Sequence, residues 1–246
     1  MTNRTIESVL TSGRTVLLER EAKAVCRHYG IPTPNSELAH DTQEAVKIAE
    51  KIGYPVVMKI SSIDISHKSD AGGVVVGLDS SSRVREAYDE IIRSSLKFKP
   101  EALIDGVLVE KQAPQGVEVI VGAKKDPQFG HVVIVGLGGV SVELFSDFSS
   151  RITPFSKREA LKMIREMKAY QLLAGWRGTK PKDIPALAEV IMAVSNLVTE
   201  YSLIEEMDLN PVMIYERGAV ALDSRISLGT EIPHDSQISD TSRPNN

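Results

Sequence analysis

Residues 56–78, VVMKISSIDISHKSDAGGVVVGL, constrain this chain more than any other stretch. One β-branched run ends at Lys59 and a second begins at Val74, so two strands are expected with a polar connection between them. That connection carries His67, Lys68, Ser69, Asp70 and the pair Gly72-Gly73. Paired glycines let backbone N–H groups approach an anion closely, and a lysine adds a point charge. The stretch reads either as a phosphate-handling loop or as a polar surface hairpin, and these residues alone favour neither.

The flanks supply helices. Residues up to Ser12-Gly13 read as an arm. Val16, Leu17, Ala22, Val25, Cys26 and Tyr29 predict an amphipathic helix closed by Gly30, Pro32 and Pro34. Asp41 caps a second helix with Glu44 as its capping-box partner; Ala45, Ile48, Ala49 and Ile52 form the stripe and Gly53 the stop. Val84, Ala87, Tyr88, Ile91 and Ser95 fit a third, ending before Pro100. The texture then changes. Val107–Glu110, Val117–Gly122 and Val132–Val135 are short β-branched segments between turn residues. Ser156 with Glu159 caps a helix to about Lys168, and Asp183 caps one carrying Leu187, Val190, Ile191, Val194 and Leu197. Leu203–Asp208, Val212–Tyr215 and Ala219–Asp223 read as strands. The fold class is α+β in two lobes, residues 14–100 and 101–230, with 231–246 a polar disordered tail.

Composition excludes several function classes. A net charge of −4 and a pI near 5.8 leave no basic stripe for nucleic acid. No apolar run approaches the ~20 residues needed to cross a bilayer. The single cysteine, Cys26, rules out an internal disulfide framework and, on a helix stripe, reads as core; a cytoplasmic protein is expected. There is no GxxxxGK[ST] and no Cys/His zinc spacing. Gly136-Leu137-Gly138-Gly139 follows a strand but no helical pattern follows it, so it reads as a tight loop rather than a dinucleotide fingerprint. Glu110 and Glu118 flank a strand connection, where a carboxylate can accept ribose hydroxyls or simply be solvated. Glu205, Glu206, Asp208, Asn210 and Asp223 gather hard oxygen donors at the ends of apolar strands, the donor type Mg²⁺ shares with nucleotide phosphates.

Taken together, LEREAKAVCRHYGIPTPNSELA, EAVKIAEKIGYPVVMKISSIDISHKSDAGGVVVGL, VLVEKQAPQGVEVIVGAKKDPQFG, GLGGVSVELFSDFSSRITPF, EMDLNPVMI and ALDSRI resemble, in order over residues 17–228, the β subunit of ADP-forming acetate–CoA ligases. The resemblance implies an ATP-grasp fold with the nucleotide between two lobes. It implies an acid–thiol ligase converting acyl-CoA, ADP and phosphate to acid, CoA and ATP. In that family an acyl phosphate forms on a partner α subunit, whose histidine passes the phosphoryl group to a histidine on the β subunit and thence to ADP.

Residue by residue, the resemblance implies that His67 is the second relay and that Asp208 fixes its tautomer. A neutral imidazole at cellular pH is a fit nucleophile for this task. Lys59 matches the lysine on the nucleotide phosphates, Glu110, Lys111 and Gln112 the segment against adenine, and Glu118 the ribose carboxylate. Asn210 and Asp223 match Mg²⁺ positions, and Arg151 and Arg225 are candidate phosphate clamps. Gly72-Gly73 is the expected hinge. The partner implied is a CoA-binding α subunit in an α2β2 assembly. Two other readings are an ATP-grasp carboxylate–amine ligase, which needs no loop histidine, and a non-catalytic nucleotide-sensing domain.

Overall fold

The computed structural model describes residues 2–138 and 147–229. Strand alternation organises the first part. In β2 (Val56–Ser62), Val56, Met58 and Ile60 enter an apolar core, which turns Val57, Lys59 and Ser61 to the opposite face. β2 lies between β3 (Val74–Leu78) and β4 (Ile104–Lys111), and β1 (Ser36–Ala39) completes an antiparallel sheet of order β1-β4-β2-β3. Helices α3 (Thr42–Ile52) and α4 (Ser81–Phe98) cover its core face. The Asp41 carboxylate accepts from Glu44 N at 2.8 Å, as the sequence predicts.

The second sheet has the order β10-β8-β5-β6-β7, with β9 paired to β8. Its strands are β5 (Val117–Asp126), β6 (Gly130–Leu137), β7 (Phe148–Ile152), β8 (Ile204–Ile214), β9 (Ala219–Ala221) and β10 (Arg225–Leu228). Val119, Val121, Ala123, Val133 and Val135 meet α5 (Lys157–Glu166) and α7 (Ile184–Glu200) in its core, with α6 (Tyr170–Ala174) beside them. Ser156 and Asp183 cap α5 and α7 as expected.

Several expectations change. The supposed arm is α1 (Thr2–Thr11), whose Ile6 and Val9 are buried in the large core. A ten-residue helix is marginal alone, so this burial holds it. The next helix begins at Glu19, because Thr15–Leu17 pairs with β10 instead, Leu17 N donating to Ile226 O. That helix, α2 (Glu19–His28), also packs into the large core. The two expected strands around Asn210-Pro211 are one continuous β8. A division at residue 100 would cut β4 from the sheet it completes and assign α2 to the wrong core. The expected tail at 231–246, and Gly139 of the glycine run, lie outside the described residues.

Candidate functional site

Where α2 crosses between the sheets, three lysines and three carboxylates close on one another. Glu19 Oε1 is 2.7 Å from Lys23 Nζ and 2.9 Å from Lys59 Nζ, and Glu19 Oε2 is 2.8 Å from Lys68 Nζ. Glu110 takes Lys23 on one oxygen and Lys59, at 3.2 Å, on the other. Asp223 Oδ2 receives Lys68 at 3.2 Å. Lys59 also donates to Leu222 O at 2.7 Å, tying the small sheet to the large one. Lys23, Glu19 and Glu110 are almost wholly enclosed. Buried charge is tolerated only when paired, and here three positive and three negative groups cancel. Burial pushes the Glu19 carboxyl up, but Lys59, Lys23 and Lys68 outweigh it and hold the group well below its ordinary range. Burial likewise opposes the charge on Lys59, and Glu19, Glu110 and Asp223 reverse it, so the ammonium stays protonated.

Beside this cluster lies a cavity of about 330 Å³ lined by His67, Lys68, Asp208, Asn210, Asp223 and Arg225. His67 is exposed. Its loop is one turn of chain: Ala71 N donates to His67 O, Gly72 N to Ser69 O and Gly73 N to Lys68 O. Gly72 has φ +64°, which a β-carbon disfavours. A Cβ on Gly73 would stand 2.5 Å from Ile60 Cγ2, so this end of the loop packs closely against β2. At the other end Ser62 Oγ donates to Leu103 O, and Asp64 accepts from Lys99 and from Leu103 N. A second cavity, about 220 Å³, shares Asn210 and Asp223 and adds Lys59, Lys111, Ala113 and Pro211. The two therefore adjoin at Asn210 and Asp223.

Register decides which expected residues share this face. Asp208 pairs with Gly122 and Arg225, opposite in parity to the core residues Met207 and Ala123. Burial, with Asp223 and Glu206 adding to it, pushes the Asp208 carboxyl up to about 6. Glu118, exposed on β5, has the parity of Gly122 and shares the cleft face. Arg151 pairs with Val133 and has the parity of the core, where Glu166 at 2.5 Å and Glu159 at 3.4 Å hold its guanidinium. It stands on the other side of the sheet from Asp208, which corrects its reading as a phosphate clamp. The Glu110 carboxylate is buried against Lys23 and Lys59, and the residue lines the second cavity. Lys111 Nζ donates to Gly53 O and Tyr54 O, and Gln112 Oε1 accepts from Gly77 N. Both side chains thus brace the chain between the sheets.

Asn210 and Asp223 offer one amide oxygen and one carboxylate. Among the described residues no group of three or more His, Cys, Asp or Glu could hold a metal ion. A two-ligand set of hard oxygens suits Mg²⁺, which keeps waters and shares substrate phosphates. Glu19 and Lys23 escaped sequence reasoning because a Glu–Lys pair four apart on a helix ordinarily marks a solvated face. Cys26 is buried and its thiol pushed up to about 12 by burial, as a core residue should be. No described helix is long and apolar enough to cross a membrane.

Residues 8–228 match the family described as an ATP-grasp domain. The chain is 49% identical over 212 residues to the β subunit of acetate–CoA ligase (ADP-forming) I of Pyrococcus furiosus, spanning 86% of this chain and 91% of that relative. It is similar, at TM-score 0.91 and 47% identity over 93% of this chain and 100% of the other, to dinucleotide forming acetyl-coenzyme A synthetase 1 of Ca. Korarchaeum cryptofilum solved with coenzyme A and Ca-AMPCP. A second structure of that synthetase holds coenzyme A and Mg-AMPPCP, with its phosphohistidine segment pointing towards the nucleotide binding site. It matches at TM-score 0.82 and 44% identity over the same shares.

Proposed function

The chain belongs to the ATP-grasp domain family, and from that premise we propose that it is the nucleotide-binding β subunit of an ADP-forming acyl-CoA ligase. The observation that carries the reading is the meeting of two cavities at Asn210 and Asp223. One holds an exposed histidine and the other a buried lysine paired with Glu19 and Glu110. ADP lies in the second cavity, its phosphates towards Lys59 and its base against the connection from Lys111 to Ala113. Glu118 takes the ribose hydroxyls from the cleft face of β5.

His67 carries the phosphoryl group. A ring nitrogen forms an N–P bond as the group leaves its donor on a partner subunit. An ADP β-phosphate oxygen then attacks phosphorus, the N–P bond breaks, and the electron pair returns to the imidazole. Asp208, ionised above about pH 6, accepts the other ring N–H and fixes the tautomer. Arg225, beside it on β10, steadies the phosphoryl oxygens. Asn210 and Asp223 would hold Mg²⁺, which when bound neutralises charge on the nucleotide phosphates. The partner is an α subunit that binds CoA and generates the acyl phosphate, and the assembly is α2β2. The free, buried Cys26 suits a reducing cytoplasm.

The reverse half-reaction tests this without the partner. The purified chain incubated with Mg–[γ-³²P]ATP should take up label that is stable to alkali and lost in acid, and His67→Ala should take up none. A wild-type chain that binds ATP but stays unlabelled refutes the relay.

A further inference from the structure

Lys68 follows His67 directly and has no role in the reaction as drawn so far. Its ammonium spans Glu19 at 2.8 Å and Asp223 at 3.2 Å, joining the loop to α2 and to the segment before β10. Its carbonyl accepts Gly73 N at 2.7 Å, so the backbone at Lys68 also sets the turn. The neighbours Ser66, His67, Ser69 and Asp70 are exposed. Lys68 is therefore the half-buried anchor in the middle of an exposed loop.

Its place in the charge cluster differs from that of the other two lysines. Lys23 is fully enclosed and Lys59 nearly so, at 0% and 9% side-chain exposure, against 15% for Lys68. If Lys68 withdraws, Lys23 and Lys59 still balance Glu19 and Glu110. The third carboxylate, Asp223, is 35% exposed and water can solvate it. Lys68 is thus the one cation of the three whose departure strands no buried charge. Glu19 Oε2 would lose its 2.8 Å contact with Lys68, and that loss favours the seated loop.

We propose that Lys68 is a releasable latch: a positioning residue that seats the His67 loop on the nucleotide side of the cleft through Glu19 and Asp223. The proposal rests on His67 being the phosphoryl carrier, since a carrier must serve two sites and needs an anchor that can let go.

Two measurements on the purified chain test it: hydrogen exchange of residues 65–72, and the single-turnover rate of label transfer from Mg–[γ-³²P]ATP to His67. In Lys68→Met, which loses the contacts to Glu19 and Asp223, exchange should quicken and transfer should slow, each by about tenfold, while ATP affinity stays within about threefold. Lys68→Arg should restore both. Lys68→Gln repeats the test if Lys68→Met fails to fold. Unchanged exchange overturns the latch. So does a loss of ATP affinity as large as the loss of rate, which would make Lys68 a phosphate contact. A wild-type chain that takes no label removes the carrier reading, whereas exchange still decides whether Lys68 anchors the loop.

Discussion

Glu19→Gln is the sharpest probe of the cleft. The substitution keeps shape and removes one negative charge from a cluster of three carboxylates and three ammonium groups. Three cations then face two anions in a region where the Glu19 side chain is 2% exposed. Breaking a buried pair from one side costs about 3–5 kcal/mol because the other charge stays behind uncompensated. A chain of this length loses roughly 2–4 °C of melting temperature per kcal/mol, so Tm should fall by about 6–20 °C near neutral pH. The double variant Glu19→Gln/Lys68→Met restores balance, two cations against two anions, and should recover part of that loss with a coupling of about 1–3 kcal/mol. Calorimetry on the four proteins of the cycle decides it. A Glu19→Gln chain melting within about 2 °C of wild type, or strictly additive losses, would show that the cluster does not hold the cleft by charge balance.

Acid should expose the same group. The folded Glu19 carboxyl titrates below its ordinary value of 4.5, so its contribution is complete above that pH and fades as pH falls. Wild-type Tm should therefore drop more steeply than that of Glu19→Gln below about pH 4, a comparison scanning fluorimetry makes directly. Gly73→Ala forces a Cβ into Ile60 and should cost about 1–3 kcal/mol in urea unfolding; no loss would mean the loop is not wedged there. Arg151→Ala should leave ATP affinity within about twofold by calorimetric titration and change stability by at most about 1 kcal/mol, since its partners are surface carboxylates.

What the sequence made legible was local or alternating. Asp41, Ser156 and Asp183 announce their helices because a cap and its helix are neighbours in the chain. The alternation of β2 aims Lys59 away from the core. β1, β7 and β10 were hidden because each is a short run, four or five residues, whose place in a sheet is set by its partner strand rather than by its own composition. The resemblance named His67, Asp208, Asn210, Asp223 and Arg225, and all five line one cavity. It could not settle Arg151 or Glu110, because a residue's face depends on strand parity and its availability on what else is buried beside it. Glu19 and Lys23 show the same limit from the other side. Their spacing is that of a solvated helix, and only the helix's position between two sheets makes them internal.

That position also orders events in time. Lys23 meets Glu110 across 87 residues, Lys68 meets Asp223 across 155, and Lys59 meets Leu222 across 163. Closing such loops costs chain entropy that local contacts do not repay, so these links form late. A ribosome that has made the whole small sheet has supplied Glu19 and Glu110 but not Asp223 or the Leu222 carbonyl. Until β9 and β10 arrive, Lys59 lacks the Leu222 carbonyl and Lys68 lacks Asp223, and the cleft is incomplete. Pulse-labelled exchange during refolding should accordingly find the backbone of β2 protected before that of residues 65–72. The cleft is therefore completed only after the small sheet, once β9 and β10 have joined the large one.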